Sequence, residues 1–112
     1  MVLIGTHEAV ASELGSIVPQ TFALEQNFPN PFNPTTTIPV SIPLTGEVTV
    51  KIYSILGEEV RTLHTGVLEQ GRHWLRWDGR NEAGRTVATG MYLTRMTTTA
   101  GGSYVIKMLL MK

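Results

Sequence analysis

Apolar and polar residues alternate one by one over Glu47 to Tyr53. Val48, Val50 and Ile52 fall on one side, and Thr49, Lys51 and Tyr53 on the other. A period of two is the signature of a half-buried strand. The same signal recurs at short intervals from Thr36 onward. Thr36 to Ile42 is rich in β-branched residues, and Pro39 within it predicts an edge strand, because proline brings no ladder donor. SILGEEV holds a turn at Gly57 and leads into Glu59 to Leu63. A second extended piece covers Gly66 to Leu68. In HWLRWDG, Leu75 and Trp77 share one face, while Trp74 and Arg76 share the other, so Trp77 is predicted as core and Trp74 as exposed. DGRNEAG, residues 78–84, is dense in turn formers, and Val87 to Ala88 is a short strand at most. Gly90 opens GMYLTRMTTT, a strand expected to bury Tyr92, and Ala100-Gly101-Gly102 turns it into SYVIKMLLMK.

This pattern predicts about seven short strands, no convincing helix, and an all-β class, an antiparallel sandwich. Residues 1–24 carry no sustained period. His7 to Leu14 offers a turn or two of uncapped helix that stops at Gly15-Ser16. The expected organisation is a linker over 1–24, running from a preceding domain, and one folded domain over 25–112. The closing strand is apolar on both faces: Ile106, Met108 and Leu110 on one, Val105, Leu109 and Met111 on the other. A strand with one wet face does not read this way. The favoured explanation is a position central in its sheet or under the linker; the alternative is a partner surface.

Composition narrows the functions. The 112 residues suit one domain, able to bury roughly 65% of its unfolded surface. Nine basic and nine acidic residues cancel, which argues against nucleic acid and an anionic membrane as partners. No apolar run approaches the ~18 residues of a membrane span. The stretch MVLIGTHEAV lacks the basic region of a secretory leader, so a leader of the parent protein is expected upstream. Cysteine is absent, which removes disulfides, thiolate metal sites and a cysteine nucleophile.

Candidate chemistry is thin. His7, His64 and His73 share no metal-ligand spacing, and Asp78 is the sole aspartate. No serine nucleophile elbow and no phosphate cradle are present. Asp78, Asn81, Glu82 and Gly84 could offer oxygens to calcium, but Arg80 and Arg85 stand beside them and the spacing is not that of an EF-hand. Asx-type turns are the preferred reading. Trp74 with Tyr53 could form a sugar-stacking platform, a weak signal without supporting polar groups. No catalyst, metal or cofactor is expected.

The segment NFPNPFNPTTTI, residues 27–38, sets three prolines and two phenylalanines before the first clear strand. Each proline fixes its own φ and restricts the residue before it, so Phe28 and Phe32 are expected to pack on the end of the sandwich. Together with VTVKIYSILGEEVRTL, GRHWLRWDGRNEAGRTVATGMYLTRM and KMLLMK, this run resembles the C-terminal sorting domain of type IX, or Por, secretion system cargo proteins. The resemblance runs from about Phe22 to Lys112. The W-D-G part is also similar to the Ig-like domain of flagellar hook-capping proteins.

The resemblance implies an Ig-like β-sandwich of about seven strands that is an address and not an enzyme. It implies that a larger cargo protein is carried through the periplasm and the outer membrane to the outside or the cell surface. The implied partners are the outer-membrane secretion machinery and a cell-surface sortase that cleaves in the linker before Phe22. The sorting-motif residues it implies are Pro29, Asn30, Pro31, Phe32, Asn33 and Pro34 at the start. Gly57 and Val60 follow at a glycine turn, Gly90 and Tyr92 in G-x-Y, and Lys107 and Lys112 at the end. The competing readings are a carbohydrate- or surface-binding accessory module and a structural Ig-like spacer of a secreted enzyme.

Overall fold

The computed structural model describes residues 18–112. The expected helix at His7 to Leu14 and the Gly15-Ser16 linker point lie outside these residues. Seven strands follow in order: β1 Ala23–Leu24, β2 Thr36–Ile42, β3 Gly46–Ser54, β4 Glu59–Leu68, β5 Gly71–Trp77, β6 Gly90–Thr98 and β7 Ser103–Leu110. They form a three-stranded sheet, β1-β2-β5, and a four-stranded sheet, β4-β3-β6-β7, with antiparallel pairing throughout. The architecture is an all-β, Ig-like sandwich, and no helix occurs among the described residues.

The alternation read from the sequence is what builds the core. Val48, Val50 and Ile52 of β3 point inward and meet Ile38, Val40 and Ile42 of β2 in one cluster with Trp77, Met96, Met108 and Leu110. Trp77 is fully buried and Trp74 is 57% exposed, as the face assignment predicts. The indole N–H of Trp77 donates to the Arg80 carbonyl at 2.9 Å, which satisfies its one polar atom inside the core. Tyr92 is 8% exposed, and its hydroxyl donates to the Ala88 carbonyl at 2.6 Å, four residues upstream. This arrangement is a tyrosine corner of the kind found in Ig-like sandwiches.

Several expectations change. Pro39 does not mark an edge: β2 lies between β1 and β5. The Pro39 carbonyl accepts from the Glu25 amide at 3.0 Å, on the β1 side. A strand residue points its N and its C=O to the same side, so the missing donor also faces β1 and leaves the β2–β5 ladder whole. Ala23 and Leu24, from the segment read as linker, pair with Ser41 and Val40. The pieces Glu59 to Leu63 and Gly66 to Leu68 are one strand, β4, whose pairing with β3 skips Val60 and Leu63. These two bulges let both side chains pack against the core. Val87 to Ala88 forms no strand; only Thr86 bridges, to Arg80.

The closing strand β7 is neither central nor covered over its face. It is the edge of the four-stranded sheet, and Val105 and Met111 are about half exposed. What is covered is its backbone edge. Gln26 Nε2 donates to the Lys107 carbonyl at 2.8 Å, and the Leu109 amide donates to Asn30 Oδ1 at 3.0 Å. The Phe32 amide donates to the Leu109 carbonyl, and the Met111 amide to the Phe32 carbonyl, both at 3.0 Å. Bare strand edges invite unwanted pairing, and here residues 26–32 close one.

Candidate functional site

The strand register collects the motif residues at one end of the sandwich. Ser54, where β3 ends, pairs with Tyr92 near the start of β6, and Gly90 pairs with Leu110 at the end of β7. The β3–β4 turn holding Gly57, the loop 78–89 and residues 29–34 therefore share one pole. Lys107 lies further in, opposite Leu93.

Residues 29–34 are built into this pole. The bonds Phe28-Pro29, Asn30-Pro31 and Asn33-Pro34 are all cis. Phe32 is 2% exposed and runs parallel to Leu110 in a one-residue bridge. Its ring centroid is 5.6 Å from that of Trp77, which in turn lies 5.3 Å from Tyr92 in an edge-on arrangement. Offset and edge-on pairs of this kind add to the area they bury. Phe28 behaves otherwise than expected. It is 53% exposed, because its backbone pairs with Thr37 at the sheet margin and its ring is left outside the core. Pro29, Asn30, Pro31, Asn33 and Pro34 are exposed around the buried Phe32.

A buried polar knot anchors the start of the segment. Asn27 is 2% exposed, and its Nδ2 donates to Thr36 Oγ1 at 2.8 Å and to the Pro29 carbonyl at 3.1 Å. Thr36 Oγ1 also donates to the Pro29 carbonyl, and Gln26 Nε2 donates to Asn27 Oδ1. A buried amide must satisfy its donors, and this one does so only with the chain folded back through Pro29. Asn27 and Gln26 were not among the sequence-assigned site residues. Their signal was present as the residues just before the proline run, but polarity alone does not announce burial.

The other motif positions have clear structural tasks. Gly79 has φ +74°, and a Cβ there would lie 3.0 Å from the Pro34 carbonyl oxygen, so the W-D-G loop sits directly on the proline segment. Gly57, at φ +87°, closes the β3–β4 turn by donating to the Ser54 carbonyl. Val60 is a bulge residue whose carbonyl accepts from the Glu82 amide at 3.0 Å. The Lys112 amide donates to Thr89 Oγ1 at 3.4 Å, while the Lys107 and Lys112 side chains are exposed.

The oxygens of the 78–84 loop are engaged within the loop and by β4. Asp78 Oδ1 accepts from the Arg80 amide at 3.1 Å and faces the Arg61 guanidinium at 3.4 Å. Asn81 Oδ1 accepts from the Arg85 amide, and a Glu82 carboxylate oxygen accepts from the Thr62 amide. The Asp78 and Asn81 bonds are the turn bonds preferred from the sequence, while Arg61 and Thr62 reach in from β4. Trp74 and Tyr53 do not form a platform. Trp74 lies under Arg72 on the three-stranded sheet, and Tyr53 under Arg95 on the four-stranded one, so the rings belong to opposite outer faces. His64 and His73 each bond a nearby carbonyl, of Gly66 and Glu69, and His7 lies outside the described residues.

The fold, the tyrosine corner and the tryptophan-anchored loop define an Ig-like domain with an extra proline-rich segment at one pole. The family model of the FlgD Ig-like domain matches residues 35–102, and the chain belongs to that family. The basal-body rod modification protein FlgD of Salmonella typhimurium is 34% identical over 95 residues, which make up 82% of this chain and 41% of that protein. The chain thus spans less than half the length of this relative. Among solved structures, dimeric latent PorU from Porphyromonas gingivalis superposes with a TM-score of 0.66 at 25% identity, over 84% of this chain and 10% of PorU. FlgD from P. aeruginosa gives 0.54 at 22% identity, over 84% of this chain and 69% of FlgD, a likeness of fold.

Proposed function

We propose that this domain is a non-catalytic sorting module, which addresses a larger cargo protein to the type IX outer-membrane secretion machinery by way of the periplasm. The observation that carries the reading is the union of Asn30 and Phe32 with Leu109 and Met111. The FlgD Ig-like match, residues 35–102, stops short of both the proline segment and β7. The two segments meet as one composite element that holds Pro29 to Pro34, Lys107 and Lys112 of the residues singled out by the resemblance to type IX cargo, while Gly57, Val60, Gly90 and Tyr92 lie inside the match. The similarity to PorU, which carries the Por designation, supports the same reading. The released or surface-attached state of the cargo, and sortase cleavage ahead of Phe22, follow from this role.

The second reading is a structural Ig-like spacer, favoured by membership in the FlgD family. The accessory sugar-binding reading loses its support, since Trp74 and Tyr53 face apart. The two remaining readings separate on one experiment. A reporter fused to the domain is expressed in a host with the secretion machinery, with and without Met111 and Lys112. Shortening removes an exposed pair of residues, the Met111–Phe32 bond and the Lys112–Thr89 bond but no buried side chain, so the fold is expected to persist. The shortened fusion is expected to stay in the periplasm. Retention of the intact fusion as well would favour the spacer, whereas normal export of the shortened fusion, with an unchanged circular dichroism spectrum, would show that the terminus is not the signal.

A further inference from the structure

The outer face of the four-stranded sheet changes character along its length. Far from the motif pole its cross-strand row is Thr49, Thr97 and Ser103, which suits water. Toward the pole the rows become Lys51, Arg95 and Val105, then Tyr53, Leu93 and Lys107. Met91 opposite Leu109 continues the apolar surface to Met111, with Met91 41% and Val105 49% exposed. A shallow cleft of about 320 Å³ opens among Tyr53, Gly57, Leu93, Arg95 and Val105.

The charges on this half-face are one-sided. Lys51 is held by Glu59 at 3.2 Å, which uses the carboxylate opposite Tyr53. Among the described residues, Arg95 and Lys107 take part in no ion pair. The Arg95 guanidinium instead lies 5.8 Å from the centre of the Tyr53 ring, which props it at the rim of the cleft. Apolar ground rimmed by unneutralised cations is complementary to an acidic surface with an apolar tip.

We infer that this half-face is the docking surface for an acidic protein segment of the secretion machinery. That segment places an aliphatic or aromatic side chain in the Tyr53–Leu93–Val105 cleft and carboxylates against Arg95 and Lys107. The inference rests on the sorting reading and names the chemistry of its partner. The cations give orientation and encounter rate, and the cleft gives the anchoring contact.

The test compares reporter fusions carrying the intact domain, Arg95→Glu, Val105→Glu and Arg95→Lys, in a host with the machinery. Both sites are exposed, and the urea midpoint of each purified domain verifies that the fold is kept. The expected result is export of the intact and Arg95→Lys fusions, with export of the two Glu variants falling by about tenfold or more, as charge reversal against a complementary partner does. Intact export with undiminished export of the folded Arg95→Glu variant would overturn the docking face and leave the sorting reading standing. No export of the intact fusion would overturn the sorting reading and the inference with it. Sedimentation of the purified domain with phosphatidylglycerol vesicles, lost in Arg95→Glu, would assign the face to an anionic membrane and overturn the protein partner.

Discussion

The rings of Phe32 and Trp77 lie 5.6 Å apart, centroid to centroid, inclined at 55°. One belongs to the proline segment ahead of β2, and the other ends β5 and opens the W-D-G loop. Their contact joins two sequence motifs that are far apart in the chain. Tyr92 extends the group from the G-x-Y motif, and Leu110 brings in β7. Each motif thus contributes one buried ring or aliphatic group to a shared floor and leaves its polar residues outside. The pole is a packed unit built from all of these motifs.

Trp77 should be the most costly of these rings to remove. It is fully buried, packs on two other rings and satisfies its N–H through Arg80. Trp77→Ala is expected to lower stability by about 3–5 kcal/mol, the range for truncating a buried aromatic. Urea unfolding followed by circular dichroism measures it, and a midpoint like that of the parent would refute the packing described.

Tyr92 couples the pole to pH. Burial pushes its phenol above the ordinary value of 10.0. The fold therefore favours the neutral form. This contribution is complete below the ordinary value and is lost as pH rises from there through the higher folded value. Tyr92→Phe keeps the ring but deletes the bond to Ala88, at a cost of about 1 kcal/mol near neutrality. The variant should lose stability less steeply than the parent above pH 10.0. Equal alkaline slopes in urea midpoints would exclude Tyr92 as the titrating group.

The core was legible in the sequence wherever a strand has one wet face. Val48, Val50, Ile52, Trp77 and Tyr92 all stand where alternation puts them. Three kinds of feature were not legible. β1 is two residues long, too short to show any period, and only its bonds to β2 reveal it. Pro39 has the composition of an edge but sits inside a sheet, since its missing donor faces a neighbour that ends almost at once. Asn27 is a polar residue made internal by partners at Pro29 and Thr36, a closure that needs the path of the chain in space. The site residues were legible as motifs, whereas their meeting at one pole depends on strand register, which composition does not encode.

Gly79 tests whether the W-D-G loop and the proline segment depend on each other. Its φ of +74° disfavours any side chain, and a Cβ would press on the Pro34 carbonyl at 3.0 Å. Gly79→Ala should therefore cost about 1–3 kcal/mol. Relief of the clash must move Pro34, so the amides of Phe32 and Met111 should exchange faster with solvent than those in the middle of β3. Uniform exchange changes across the domain would show instead that the two segments are not specifically coupled.

Asn30 separates holding the fold from holding the proline segment against β7. Its Oδ1 accepts from the Leu109 amide at 3.0 Å, and its side chain contributes nothing to the buried cluster. Asn30→Ala leaves Phe32 in place but frees the Leu109 amide, at a cost of about 1 kcal/mol. Hydrogen exchange should quicken at Leu109 while Val50 and Ile52 remain protected, and the urea midpoint should shift only slightly. If the machinery reads residues 29–34 and β7 as one element, the loosened junction should also reduce export of a fused reporter. Faster exchange at Leu109 with unchanged export would mean that the clasp serves the fold alone and that recognition does not use their union.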